Sequence, residues 1–366
     1  MEDVLFRREA TACGRAIGVA TLNRPRAINA LTLAMCEALL AMLRAWQSDE
    51  SIVCVVIEGA GEKGFCAGGD VAEVIRRVRA GGPDRFVYGD QFFEVEYTLD
   101  LLIHRYAKPI VALVHGICMG GGLGLINGAQ ERVAVEGARF AMPEIHIGLF
   151  PDVGGGWFLN RLPRGLGYYL ALTGATLDAR EALAVGLADH VIAADRAATL
   201  VAALASKHWP EGDATALRAQ AATLVAQHVG EHPEEGALPD LLASGRLAAL
   251  ARAASTAAHV TAYRDQLLAL ARDDAHFERP AQSLARGSPT AAHVVWRYLA
   301  RTWGLGIAEV LALDLVLARR FQRGHDFAEG VRAVLLDKDR APRWSPADWA
   351  GVEPSDVERY FAPLTD

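Results

Sequence analysis

Three glycine clusters and two acids that follow them are the places where residue type and spacing could do chemistry. Gly68-Gly69-Asp70 and Gly120-Gly121-Gly122 each precede a stretch with helical spacing, the first running from Val71 to Arg79. The first amides of a helix have no intrahelical acceptor, and the helix dipole favours negative charge there. Glycine leaves such amides bare, so a ligand oxygen can come close to the backbone. Two amides converging on one point would make an oxyanion hole for a carbonyl that gains charge as it reacts. Spacing along the chain leaves that convergence open, and close helix–strand packing explains either cluster alone. The third cluster, Gly59-Ala60-Gly61-Glu62-Lys63-Gly64, matches the G-x-G-x-x-G pattern after a β-branched run. A dinucleotide site needs such a turn to open directly into a helix facing a pyrophosphate. Here it opens into Phe65-Cys66-Ala67-Gly68-Gly69, and helical spacing starts only at Asp70 or Val71. A solvent turn is the better reading, with a nicotinamide oxidoreductase as the alternative it leaves open.

Glu144 follows Met142-Pro143 at an expected strand end, and Asp152 lies in Phe150-Pro151-Asp152 ahead of Gly154-Gly155-Gly156. Acids beside apolar, glycine-rich turns can carry shifted pKa values suited to proton transfer. The same acids would serve as caps for the helices that follow, and the residues alone leave both roles open. Glu96, in Phe92-Phe93-Glu94-Val95-Glu96-Tyr97, reads by itself as part of an amphipathic helix. Other constellations are weaker. His228 and His232 stand four apart but lack a third ligand, so no metal site is expected. Cys66 has no His–Asp pattern beside it, and no serine sits in a G-x-S-x-G elbow. His146 reads as a tuning or a structural neighbour of Glu144, and Trp296, Trp303, Trp344 and Trp349 read as core or tail-docking residues.

The elements that must position these groups are legible from periodicity. Residues 17–22, 52–58 and Ile110–Val114 are apolar runs of strand length. Leu31, Met35, Leu39, Met42, Leu43 and Trp46 recur at helical spacing, with Asn29 or Thr32 as the N-cap. Residues 132–135 and 139–142 flank a tight connection at Glu136-Gly137. From about Ala197 to Arg286 the chain is alanine-rich and helical in character, broken mainly by HPEEG at 232–236. Ser288-Pro289-Thr290 starts a further helix, and a polar tail is expected after it. The expected organisation is an α/β core over 1–196 and a mainly helical region over 197–366.

Composition narrows the function classes. The 366-residue chain carries a net charge of −7, with 52% hydrophobic and 22% charged residues. That balance lacks the electrostatic footprint of a nucleic-acid binder. Cys13, Cys36, Cys54, Cys66 and Cys118 form no C-x-x-C pair, which suits a reducing compartment. The first residues, MEDVLFRRE, have no apolar signal core, and no run is long enough to cross a bilayer. A cytoplasmic protein with no membrane partner is expected.

Several longer motifs carry a family resemblance. Leu22-Asn23-Arg24-Pro25, Asn29-Ala30-Leu31, Phe65-Cys66-Ala67-Gly68-Gly69-Asp70, His115-Gly116 and Met119-Gly120-Gly121-Gly122, in that order, resemble the crotonase (enoyl-coenzyme A hydratase/isomerase) superfamily. Phe140-Ala141-Met142-Pro143-Glu144, the stretch from Ile147 to Gly156, and the stretch from Gly324 to Ala333 resemble its 3-hydroxyisobutyryl-coenzyme A hydrolase branch. The resemblance implies a crotonase-like α/β fold of repeated ββα units with a helical C-terminal region. It implies an acyl-coenzyme A substrate, no cofactor besides the coenzyme A of that substrate, and a homo-oligomer. It places the oxyanion donors at the Gly69 and Gly121 amides and catalysis at Glu144 and Asp152. Substrate contacts would fall on Glu96, Gly121, Glu144 and Asp152. Arg24, Arg26 and Lys63 flank the early turns and could pair with coenzyme A phosphates. The segment from His325 to Lys338 would close over the site.

The resemblance also separates reactions. Hydratases of the superfamily carry a second catalytic glutamate three residues beyond the middle glycine of the GGG turn, where this chain has Gly124. Hydration is therefore disfavoured, an isomerase with one carboxylate stays open, and the Pro151-Asp152 element favours thioester hydrolysis. Glu144 as nucleophile and Glu144 as general base look alike in sequence. A non-catalytic acyl-coenzyme A-binding protein is the alternative from another class.

Overall fold

The computed structural model describes residues 2–211, 213–229, 240–243 and 245–364. The HPEEG break at 232–236 and His232 lie outside them. Strands form where β-branched residues run without a helical period. β1 (Val4–Ala10) and β2 (Ala16–Leu22) are an antiparallel pair, with Val4 opposite Leu22 and Ala10 opposite Ala16. β3 (Ile52–Gly59) pairs in parallel with β2 and runs into the short β4 (Gly64–Cys66). β5 (Ile110–Val114) leads to the short β6 (Ile117–Met119), and β7 (Glu131–Val135) to the short β8 (Arg139–Ala141). β9 (Leu177–Asp178) and β10 (His190–Ile192) complete two sheets of order β1-β2-β3-β5-β7-β10 and β4-β6-β8-β9.

The chain thus repeats one unit: a long strand in the first sheet, a short strand in the second, then a helical segment. The helical segments are Val71–Ala80, Gly121–Asn127 and the 3-10 turn Glu144–Ile147. This is the α/β layered architecture of repeated ββα units with a helical C-terminal region expected from the sequence. The Glu136-Gly137 connection is tight, with Gly137 at φ +85 and the Ala138 amide donating to the Val135 carbonyl. It is a corner between sheets and not a hairpin, because β7 and β8 pair with different partners.

The chain divides into two compact units, each assembled from three segments. Met1–Gly69, Thr98–Phe140 and Leu177–Asp240 form the first, and Asp70–Tyr97, Ala141–Thr176 and Leu241–Asp366 the second. A single cut at 196 therefore follows neither unit. Composition registers where strands stop, whereas the units follow neighbours in space, and residues 70–97 and 141–176 group with the late helices. In the first unit, every residue of β2 and β5 is buried, as in a parallel sheet covered on both faces. Ile17, Val19, Val56, Val111, Trp209 and Leu224 belong to one of its cores. A Cβ at Gly18 would fall 2.7 Å from the Trp46 ring, so glycine there lets the indole lie on the sheet.

Helix Leu33–Ser48 is capped by Thr32, whose side chain accepts from the Met35 amide. Asn29 instead ties loops together: its buried side-chain amide donates to the carbonyls of Ala60, Gly64 and Phe65, and its Oδ1 accepts from the Arg24 amide. In the second unit, Ser288 caps helix Pro289–Thr302 by accepting from Ala291. The expected polar tail is instead two more packed helices, Ile307–Phe321 and His325–Val331, burying Val310, Leu317, Phe321 and Phe327. Arginines at 319, 320 and 323 give that region its polar character, yet helix Ile307–Phe321 keeps an apolar face. Trp303 is 69% exposed, against the expectation of a docked indole. Among the described residues, no helix is long and apolar enough to cross a membrane, and all five cysteines are free thiols.

Candidate active site

The glycine turns are built in the first unit. β4 and β6 run parallel with Gly64 opposite Ile117, and a Cβ at Gly64 would collide with the Ile117 backbone. That close approach brings the ends of both strands together. Beyond β4, Gly68 takes φ +106, a conformation side chains rarely allow. Its carbonyl accepts from the Leu31 amide at 2.9 Å, and Gly69 bridges to Leu31. Beyond β6, Gly120 takes φ +50 and helix Gly121–Asn127 begins, buried along its length. A Cβ on Gly68 would lie 3.6 Å from the Gly121 amide nitrogen, and one on Gly122 would lie 2.8 Å from the Cys66 carbonyl oxygen. The two turns that carry Gly69 and Gly121 are therefore neighbours, a relation their spacing in sequence leaves open.

The G-x-G-x-x-G segment opens into β4 and not into a helix, with Gly61 at φ +83 and the His115 ring bonded to the Gly61 carbonyl. The pyrophosphate-facing helix of a dinucleotide site is absent from this turn. Cys66 is buried, with its sulfur 3.4 Å from the Gly68 amide nitrogen, so it packs within the turn. Of the three basic residues flanking the early turns, Arg24 donates to the Ala30 carbonyl and so braces its own loop. Arg26 and Lys63 are exposed. His228 bonds to the Arg196 carbonyl. No cluster of His, Cys, Asp and Glu suited to a metal occurs among the described residues.

The acids gather in the second unit. Glu144 opens the 3-10 turn Glu144–Ile147 directly after Pro143 and is 6% exposed. Its Oε2 has no hydrogen-bond partner. Burial, and then the charge of Asp152, push its carboxyl well above the usual range. The turn is held from one side by helix His325–Val331: a Cβ at Gly330 would collide with Ile147, and one at Gly148 would fall 2.6 Å from the Asp326 carbonyl oxygen. Asp152, also 6% exposed, accepts a 2.7 Å hydrogen bond from the Tyr97 hydroxyl. Burial raises its carboxyl to about 6 even though that bond opposes the shift. Glu96 precedes Tyr97 on helix Val87–His104 and is 2% exposed, so it belongs to the buried side of that helix. His146 turns away to Ser283, at 2.5 Å, and to the Thr173 carbonyl; burial lowers its pKa and keeps the ring neutral.

Two members of this cluster are not singled out by local spacing. Asp314 is wholly buried and accepts from the Gly154 amide at 2.8 Å and from the Tyr298 hydroxyl at 2.5 Å. Tyr298 in turn accepts from the Gly156 amide at 2.8 Å. A signal exists in the sequence: Asp314 is the lone acid within Leu311-Ala312-Leu313-Asp314-Leu315-Val316-Leu317.

Chemically, the first unit offers backbone donors beside glycines, which can hold an oxygen that gains charge. The second offers buried carboxyls that keep their protons to higher pH than ordinary carboxyls do, and such a group, once ionised, can serve as a base or nucleophile of raised basicity.

The model of the family described as enoyl-CoA hydratase/isomerase matches residues 17–361. A 3-hydroxyisobutyryl-CoA hydrolase, mitochondrial, of Danio rerio is 39% identical over 365 residues, covering 100% of this chain and 90% of the relative. The protein of the same name from Homo sapiens is 37% identical, over 99% of this chain and 89% of its own length. Among solved structures, a carnitinyl-CoA dehydratase from Mycobacterium thermoresistibile superposes with a TM-score of 0.85 at 33% identity, over 100% of this chain and 97% of that one. An enoyl-CoA hydratase from Rhodobacter sphaeroides 2.4.1 gives 0.83 at 35% identity, over 99% and 98%. With a family match across nearly all its length and relatives well above 30% identity, the chain belongs to the crotonase (enoyl-CoA hydratase/isomerase) family.

Proposed function

We propose that this protein hydrolyses a short-chain 3-hydroxyacyl-coenzyme A thioester, with 3-hydroxyisobutyryl-coenzyme A as the foremost candidate. The observation that carries the reading is Glu144: a buried carboxylate with an oxygen that no hydrogen bond engages, raised in basicity beside Asp152. The thioester carbonyl oxygen would take hydrogen bonds from the Gly69 and Gly121 amides, which strengthen as negative charge develops on it. Glu144 then attacks the carbonyl carbon, forming a mixed anhydride and releasing coenzyme A as its thiolate; water opens the anhydride to the free acid and restores Glu144. In the general-base variant Glu144 takes a proton from the attacking water and the anhydride is bypassed. Asp152, oriented by Tyr97, holds the substrate hydroxyl or passes a proton to the departing thiolate, and Glu96 adds a polar contact. Arg26 and Lys63 meet the phosphates, with Arg24 shaping their loop.

Support comes from Gly124, which puts no second acid where the family's hydratases carry one, and from relatives named as hydrolases at 37–39% identity over the full chain. A role in breaking down a methyl-branched acid such as valine follows from that substrate. The names of the two structural neighbours favour a second reading, addition or removal of water across a double bond. One assay separates these: free-thiol release from 3-hydroxyisobutyryl-coenzyme A and from straight-chain acyl thioesters. Fast release with the branched substrate is expected. Double-bond chemistry without thiol release would replace hydrolysis by isomerase or hydratase action, and binding without turnover would make the protein a carrier. The cytoplasmic reading stands as a proposal beside relatives whose names place them in mitochondria, and cell fractionation decides it. The homo-oligomer is tested by light scattering.

A further inference from the structure

The loop that carries Asp152 is held in a conformation its own residues resist. Val153 takes φ +51 and Gly154 φ +81, two left-handed residues in succession. For a β-branched residue this is a true outlier, and such a backbone persists only where its surroundings impose it. The surroundings are specific. The Gly154 amide donates to Asp314 Oδ2 and the Gly156 amide to the Tyr298 hydroxyl, which in turn donates a hydrogen bond to Asp314 Oδ1. Two amides of one loop are thereby tied to one carboxylate. The same loop is pressed between side chains: a Cβ on Gly154 would fall 2.8 Å from Ile307 Cδ1, and one on Gly156 2.5 Å from Thr302 Oγ1. An ionisable group in the middle of a leucine-rich helix is a poor way to fill a core, since burying it costs free energy that an apolar residue would not.

We propose that Asp314 and Tyr298 are positioning residues for Asp152: they hold the Gly154 and Gly156 amides and so fix the loop from which the Asp152 carboxyl projects. The groups facing Asp152 are Tyr97 from helix Val87–His104, Glu144 from its 3-10 turn, Tyr298 from helix Pro289–Thr302 and Asp314 from helix Ile307–Phe321. Glu96 faces Tyr97 beside them. Burial and the charge of Asp152 raise the Asp314 carboxyl well above the usual range, so Asp314 acts on Asp152 through the loop it holds and not as a second charge. The kinetic part of this inference rests on the hydrolase reading; the structural part does not.

The test uses the full chain with Asp314→Asn and Tyr298→Phe, each checked for a cooperative melt. Tyr298→Phe keeps the ring and removes only the hydroxyl, so it probes the tether with the Asp314 carboxyl left in place. In folded variants, kcat for thiol release is expected to fall about tenfold or more while KM stays within about threefold, the split that misplacing a catalytic group produces. Independently of turnover, carboxyl-carbon NMR of Asp152 should show an altered titration in both folded variants, because a displaced carboxyl loses the geometry of the Tyr97 bond that opposes its upward shift. Unchanged kcat in folded Tyr298→Phe, or an unchanged Asp152 titration in folded Asp314→Asn, would overturn the inference. Failure of both variants to fold would overturn it as well, since it assigns them to stability alone. A native chain that releases no thiol from any acyl thioester defeats the hydrolase reading, and the carbon titration still decides the link between Asp314 and Asp152.

Discussion

The glycine turns of the first unit and the acid cluster of the second would serve the proposed chemistry by opposite means. The turns work through what their side chains lack. Gly64 lets β4 lie against β6, Gly68 supplies a left-handed φ, and Gly122 lets one turn rest on the Cys66 carbonyl. Nothing in that arrangement titrates, so its contribution is geometric. The acid cluster works through what its side chains carry. Tyr97, Glu144, Asp152, Tyr298 and Asp314 come from separate segments and share one buried environment that raises every one of their pKa values. On the proposed mechanism, the difference teaches that changes in the glycine turns should act sterically and at all pH values, and changes in the acid cluster electrostatically and with a pH signature.

The strongest way to break that contrast is Glu144→Gln, which keeps shape and removes the charge. Thiol release is expected to fall by about a thousandfold, the scale of losing a positioned base or nucleophile; near-normal turnover would remove Glu144 from the mechanism. Because Glu144 is raised by burial and must be ionised to act, native kcat should fall as pH drops through a limb lying above the ordinary carboxylate value of 4.5. Gly122→Ala probes the other half. Its methyl meets the Cys66 carbonyl and pushes the turns apart, and kcat should drop about a hundredfold with the acid limb unmoved. A shifted limb would show that the two regions are not separable.

Asp152→Asn sharpens the electrostatic side through stability. The Asp152 carboxyl titrates at about 6 in the folded chain against an ordinary 3.8, so the folded state binds the proton more tightly. Its stabilising contribution is complete below about pH 4 and is lost as pH rises through about 6. Asparagine still accepts from Tyr97 and carries no charge. The variant should therefore be more stable than the native chain by on the order of 2 kcal/mol at pH 8, with the difference vanishing near about pH 3.5 in denaturant titrations. The smallest effect belongs to Arg26→Ala and Lys63→Ala, both exposed. Each should raise KM about twofold to threefold, with kcat unchanged and the effect fading at high salt.

Much of this is legible along the chain. The strands at 16–22, 52–59 and 110–114, the Thr32 and Ser288 caps, and the helix starts after Gly69 and Gly120 all follow from interactions within a few residues. The short strands β4, β6, β8 and β9 are not legible, because two or three residues carry no period. Asp314 stands out as an acid in an apolar run but falls in a stretch whose arginines read as a polar tail. Periodicity places Tyr298 on its helix without its partner, since a hydroxyl bonded sixteen positions away leaves no mark on local spacing.

By itself, then, the sequence determined the local elements, the two glycine turns ahead of helices and the resemblance that singled out Glu144 and Asp152. Only the tertiary structure decided that the turns of Gly69 and Gly121 are neighbours, and that Glu96, Glu144 and Asp152 are buried. It alone showed that Asp314 and Tyr298 accept hydrogen bonds from the Gly154 and Gly156 amides. The reason is physical: caps and periods depend on residues a turn or two away, whereas convergence and proton affinity depend on burial, and burial is supplied by segments far apart in the chain.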